Sequence, residues 1–264
     1  MKWLRSRERA VADSVDGFVA IGHFEPADVF IAGYPKSGNS WMQLLVSAIV
    51  YGLDPLTTPD TLIQELVPDV HYKKLYKRFL PSMVFKTHQR PCPEYRRVIN
   101  IVRDGRDVLC SYRHFGEALG LPFDMNAAID GEGVAPFGRW EEHVAAWNRN
   151  PYDADKIVVR YEDLLDDCVN QLARMADFLG VPRTVRELER IAVAARFEAM
   201  QRREVVMGWD NKAWPRDKAF LRQGKKNAFT RELTPAQLRR FESRAGRCLQ
   251  AFGYGFSQTH MKAA

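Results

Sequence analysis

The stretch Val29-Phe-Ile-Ala-Gly-Tyr-Pro-Lys-Ser-Gly-Asn-Ser-Trp41 joins an apolar, β-branched run to a Gly/Pro turn and then to the start of a helix. Strand, tight turn and helix N-terminus in that order aim unpaired backbone amides at a single point, an arrangement suited to an anion. Against the P-loop pattern GxxxxGK[ST], Gly33, Gly38 and Ser40 are in place, but Asn39 stands where the lysine belongs. A P-loop lysine reaches the β- and γ-phosphates of a nucleoside triphosphate, and Asn39 cannot supply that charge. The cation is instead Lys36, inside the loop, where it would meet an anion close to the turn, such as a single 5'-phosphate and its leaving bond.

Outward from this loop, the runs Met83 to Lys86, Val98 to Val102 and Ile157 to Val159 repeat the character of Val29 to Gly33. Continuous rather than alternating apolar residues mark strands covered on both faces of a parallel sheet. Between them, Trp41 to Tyr51, Asp107 to Leu119, Arg139 to Arg149, Val169 to Leu179, Val185 to Ala195 and Pro235 to Ala251 carry apolar residues at helical spacing. Gly180 and Pro182 stop one helix, and Thr234 with Pro235 starts another. The expected fold is α/β: a three-layer, P-loop-like fold whose central parallel sheet of about four to five strands is flanked by helices. Loops at the carboxyl ends of such strands bind ligands. Leu53 to Phe79, Gly120 to Gly138 and Met200 to Lys226 are read as the long loops of this fold, the last strongly basic.

The chain has 264 residues, 46% of them hydrophobic, enough for one sizeable core without disulfides or metal. Cys92, Cys110, Cys168 and Cys248 form no CxxC pair and have no histidine at metal spacing, so reduced thiols and no metal are expected. Met1 to Ala12 lacks the apolar stretch of a secretory signal, and Trp41 to Leu53 falls short of the roughly 20 apolar residues needed to span a bilayer. A cytoplasmic protein with no membrane span is expected. The net charge of +6 suits an anionic ligand. Because the basic residues are scattered over helices rather than gathered in a stripe with aromatics, a phosphorylated small molecule is favoured over nucleic acid.

The phosphate loop resembles that of the cytosolic-type sulfotransferase family, Y-P-K-S-G-T-T-W, which here reads Tyr34-Pro-Lys-Ser-Gly-Asn-Ser-Trp41 and differs only at Asn39 and Ser40. These two keep short polar side chains in the helix's first turn. The resemblance implies that the donor is 3'-phosphoadenosine-5'-phosphosulfate (PAPS), leaving as adenosine 3',5'-bisphosphate (PAP), with Lys36, Ser37, Gly38, Asn39, Ser40 and Trp41 around its 5'-phosphosulfate. It also implies a 3'-phosphate grip by Arg103 and Ser111, in the run Ile101 to Phe115, completed by Arg222-Gln223-Gly224 in place of the family's R-K-G. Trp41 and Phe197 would flank the adenine and Tyr161 touch its edge. Arg106 and Arg113 are left outside this site.

In Met83-Val-Phe-Lys-Thr-His-Gln-Arg90, strand alternation puts Lys86 and His88 on one face at a carboxyl end. The family's K-T-H motif makes His88 the general base toward an acceptor hydroxyl, while Lys36 and Lys86 would offset charge on the departing oxygen. His23, His71, His114, His143 and His260 have no motif context and read as surface or helix residues. The likeness spans about residues 28 to 254 of a single domain, 1–264. Gly224 to Thr230 is shorter than in the family, and its dimer motif is kept only at Lys226 and Thr230, with Arg231 and Pro235 replacing Val and Glu, which argues against dimerisation by that route. The acceptor is a small molecule, with phenol, lipid, sugar and natural-product alcohol all open. A nucleotide kinase, which would need a lysine at Asn39, and a non-catalytic PAPS-binding protein, which would lack the base, are the alternatives.

Overall fold

Strands that are apolar along their whole length need cover on both faces, and the chain supplies it with helices. The computed structural model describes residues 17–132, 136–208, 214–215, 217–221 and 224–257. In chain order the first half runs β1 (Phe18–Ala20), β2 (Val29–Gly33), α1 (Asn39–Tyr51), α2 (Asp60–Leu66), β3 (Leu75–Lys77), β4 (Val84–Thr87), β5 (Arg97–Val102), α3 (Gly105–Ala118), α4 (Met125–Asp130) and α5 (Trp140–Arg149). Then follow β6 (Asp155–Arg160), α6 (Tyr161–Asp166), α7 (Cys168–Leu179), α8 (Val185–Ala194), α9 (Phe197–Met207), α10 (Phe229–Glu232) and α11 (Pro235–Ala251).

Strands β4, β2, β5 and β6 lie in that order, every neighbouring pair parallel, in a four-stranded sheet. Side chains alternate between its faces. Val29, Ile31, Ile99 and Ile101 pack with Met42, Leu45 and Ile49 of α1 and with Leu172 and Met175 of α7. Phe30, Ala32 and Val98 face Trp147 of α5, and Val102 joins Trp140, Phe241 and Leu249 of α5 and α11. Three layers result, and the carboxyl ends of β2, β4 and β5 come together at one edge. A second, two-stranded antiparallel sheet pairs β1 with β3.

The outer edge of β4 is not bare. Lys86 N–H donates to Pro68 O at 2.9 Å and Val70 N–H to Lys86 O at 3.0 Å, a short parallel bridge that covers the edge. Capping follows the sequence signals: Gly180 (φ 70°) ends α7, and a capping box of Thr234 and Gln237 with Pro235 opens α11.

Three of the expected long loops contain regular structure. Met200 to Met207 belongs to α9, Met125 to Asp130 is α4, and Leu53 to Phe79 holds α2 and β3. The reason is their pattern: α2 and α4, of seven and six residues, are too short to repeat an apolar stripe, and α9 buries the charged Arg203 while exposing Val205 and Val206.

Arg106 is structural. Its guanidinium is 2.6 Å from both Asp104 Oδ2 and Glu242 Oε1, all three side chains buried, and so ties the start of α3 to α11. Removing the arginine leaves two carboxylates without their buried cation. Arg106→Ala is therefore expected to cost about 3–5 kcal/mol and to lower the melting temperature by roughly 10 °C, read by differential scanning calorimetry; an unchanged melting temperature contradicts the assignment.

Candidate active site

The loop after β2 is shaped by backbone constraints. A Cβ on Gly33 would lie 2.5 Å from Ile101 Cγ2 and 2.8 Å from Ile101 O, so only glycine lets β2 and β5 approach here. Lys36 adopts φ 68° and Gly38 φ 97°, two left-handed residues that fold the turn back over the start of α1. The Asn39 amide donates to Tyr34 O at 2.9 Å and closes the loop. The side chain at the P-loop lysine position thus serves the scaffold. The first-turn N–H groups of α1 have no intrahelical partner and carry the positive end of the helix dipole. Ser37 Oγ and Arg103 Nε are buried without a hydrogen-bond partner among the described residues, and such orphaned donors need a ligand oxygen or water.

Most of the residues expected to bind the donor converge on this loop. Arg103, just past β5, donates through Nη1 to Lys36 O at 3.2 Å and lies 4.4 Å from the centre of the Tyr161 ring. Tyr161 opens α6, packs under Gly38 and meets Trp41 edge-on at 5.6 Å. The Trp41 indole is fixed by donating to Ala195 O at 3.0 Å. Phe197, first in α9, packs on Gly224 (φ 56°), and Lys225 O lies 3.5 Å from Arg103 Nη2. Asp107 accepts from Asn227 N–H and Phe229 N–H, at 2.8 and 3.0 Å, and so anchors the segment after Gly224. Arg222 and Gln223 lie outside the described residues, as does His260. Ser111, on α3, borders the same cavity as Lys36, together with Phe115, Trp214 and Phe220.

The Lys36 ammonium sits 4.2 Å from the Phe115 ring centre and 5.3 Å from that of Phe220. Burial, then Arg103 and Lys86, push its pKa down to about 8. Lys86 is buried and is not free: its Nζ lies 2.7 Å from Asp69 Oδ2.

His88 follows β4 directly. Its Nδ1 is 2.8 Å from Gly33 O. A carbonyl only accepts, so Nδ1 carries the proton and Nε2 keeps its lone pair. Burial and the Lys86 ammonium hold the imidazole well below its ordinary pKa, so the ring is neutral near pH 7. The peptide of His88 is held on both sides: its N–H donates to His71 Nε2 at 2.9 Å, and its carbonyl accepts from His143 Nε2 at 3.0 Å. Phe137 lies 5.0 Å from the His71 ring and 5.7 Å from that of His88.

His71, His143 and Asp69 were not singled out in the sequence. His71 and His143 are not incidental, since both contact His88, whereas His114 pairs with Glu232 at 2.9 Å, away from this group. The one signal was the spacing of Asp69 and His71, two residues apart like Lys86 and His88.

The sequence matches the Sulfotransferase domain family over residues 26–253, and the chain belongs to that family. Its class of activity is sulfuryl transfer. Cytosolic sulfotransferase 1 of Danio rerio is 26% identical, over 82% of this chain and 81% of that protein. Flavonol 3-sulfotransferase of Flaveria bidentis is 28% identical, over 79% and 78%. Among solved structures, a mouse sulfotransferase complexed with PAP shares the fold with a TM-score of 0.63 at 22% identity, covering 87% of this chain and 90% of that one. No helix among the described residues is long and apolar enough to cross a membrane.

A lysine held at about pH 8 is directly observable. After 13C-methylation of the lysines, one resonance is expected to titrate near pH 8 and to vanish in Lys36→Met. If every resonance titrates in the ordinary lysine range, the crowding of cations around Lys36 is refuted.

Proposed function

We propose that the chain transfers the sulfuryl group of PAPS to the hydroxyl of a small-molecule acceptor in the cytoplasm. The observation that carries this reading is that phosphate loop and base meet on one strand end: Arg103 bonds Lys36 O, and His88 bonds Gly33 O. The relatives named above, a cytosolic sulfotransferase and a flavonol sulfotransferase, support the donor and an acceptor of this kind.

The residues fit the donor. Amides at the start of α1, Ser37 and Lys36 would hold the 5'-phosphosulfate. Arg103, Ser111 and the Gly224 segment, including Arg222 and Gln223, would hold the 3'-phosphate. Trp41, Tyr161 and Phe197 would bind the adenine. The acceptor oxygen attacks sulfur in line while the sulfur–oxygen bond to the 5'-phosphate breaks, its electron pair going to the phosphate oxygen of PAP. His88 Nε2 takes the hydroxyl proton, a contribution typically worth about 10²- to 10⁴-fold. Lys36 offsets the charge on the departing oxygen. Lys86, ion-paired with Asp69, would assist Lys36 at the departing oxygen, and its ammonium disfavours an imidazolium at His88 at rest. Phe115, Trp214 and Phe220, with Phe137 beside His88, offer aromatic walls that suit an apolar or planar alcohol.

The test is transfer from radiolabelled PAPS to pooled phenolic and aliphatic alcohols. Transfer is expected from the parent chain, with kcat lowered about 10²- to 10⁴-fold in His88→Ala and PAP affinity retained; full transfer by His88→Ala would falsify the mechanism. A second outcome follows from Lys36, whose pKa of about 8 makes it a cation at pH 7 and largely neutral at pH 9. Anion binding needs the cation, so PAP affinity should weaken as pH rises through 8, with proton uptake on binding at pH 9. Calorimetry in buffers of different ionisation enthalpy reads both effects, and Lys36→Met should remove them.

A further inference from the structure

We propose that His71, braced by Asp69, is the positioning residue that holds the His88 imidazole in place for proton abstraction; this rests on His88 being the base. The argument begins with chain geometry. Asp69 forms a parallel bridge to Lys86 beside the end of β4 and opens a turn in which Tyr72 N–H and Lys73 N–H both donate to Asp69 O. The turn through residues 70–72 carries the His71 ring back over that of His88, which follows β4 directly. Both lateral pairs are made: Asp69 Oδ2 lies 2.7 Å from Lys86 Nζ, and the His71 and His88 rings stack 5.6 Å apart at 17°.

At His88 the ladder stops, and its N–H would lack a backbone acceptor. His71 Nε2 takes that bond at 2.9 Å, so a side chain completes what the strand leaves open. The acceptor role puts the His71 proton on Nδ1. Asp69 fixes the His71 backbone: fully buried, it accepts from the His71 main-chain N–H through Oδ1 at 2.8 Å while its other oxygen faces Lys86. Burial lowers the His71 pKa, which keeps Nε2 unprotonated near neutral pH. The base is thereby fixed by the His88 N–H on His71, the His88 carbonyl under His143, and its own Nδ1–H on Gly33 O. His71 is the contact that also stacks on the ring, so it controls both the peptide and the plane of the imidazole.

Two substitutions separate these parts. Glutamine can return an acceptor oxygen near the Nε2 position, whereas phenylalanine keeps a ring but accepts nothing. In His71→Phe, kcat is expected to fall about 10²-fold, the scale of a misplaced catalytic group, while His71→Gln stays within about threefold of the parent. Neither should change the PAP dissociation constant or the KM for PAPS. Independently of turnover, 15N NMR of the imidazoles in the donor-free parent protein should find both His71 and His88 with the proton on Nδ1. Parental kcat in a folded His71→Phe, equal losses in the two variants, or a His71 proton on Nε2 overturns the proposal. Transfer that survives His88→Ala would instead remove the base assignment, and the NMR result would still show whether His71 holds the peptide.

Discussion

The hydrogen bond from His88 Nδ1 to the carbonyl of Gly33, at 2.8 Å, is the contact on which the rest of the site depends. Gly33 is the last residue of β2 and the first of the loop that turns toward α1, so its carbonyl belongs to both the sheet and the anion-binding turn. Its position is not adjustable, because Ile101 and Asn39 leave no room for a Cβ above it. A base bonded to that atom is registered against the loop by the sheet itself. On the proposed mechanism, ångström-scale placement of His88 relative to the reacting sulfur would follow from parallel strand pairing rather than from a flexible side chain.

The second constraint is electrostatic. Lys36, Lys86 and Arg103 lie close enough that the other two make Lys36 easier to deprotonate, and burial adds to the effect. Asp69 answers Lys86, and Asp107, whose pKa burial raises against the pull of Arg103, is occupied with the Asn227 and Phe229 amides. The positive charge of Lys36 is left to a bound anion. The same crowding acts on His88, where Lys86 disfavours the imidazolium and Asp69 favours it. A base that is neutral at rest and has a fixed carboxylate nearby can accept a proton as charge moves onto the departing phosphate.

The parts of this arrangement that could be read from sequence are those written in contiguous residues. Val29 to Trp41 discloses strand, turn, helix and cation together, and Met83 to Arg90 discloses the strand that carries His88. The four strands of the parallel sheet and the longer helices were legible because each buries enough residues to show a pattern. Helices α2, α4 and α9 were not, since the first two, of seven and six residues, are too short to repeat a stripe and α9 buries Arg203 while exposing Val205 and Val206. Asp69 and His71 were illegible for a different reason. Each acts on a residue 17 positions away, across a bridge between two segments of the chain, and the turn after Asp69 carries no pattern that discloses its neighbour.

The exchange of charge between positions 36 and 39 explains why this loop differs from one that binds a nucleoside triphosphate. A lysine at 39 would rise from the first turn of α1 toward the outer phosphates. Here Asn39 is turned inward on the Tyr34 carbonyl, and that bond holds the loop tightly enough for Lys36 to occupy a left-handed conformation. From there the lysine ammonium lies over the faces of Phe115 and Phe220, in the cavity that Ser111 also borders. On the proposed mechanism that cation would meet the first phosphate and the bond beyond it, the place where negative charge grows as a sulfuryl group leaves. On that reading, one amide hydrogen bond and the left-handed residue beside it redirect a common phosphate loop from the end of a phosphate chain to its root.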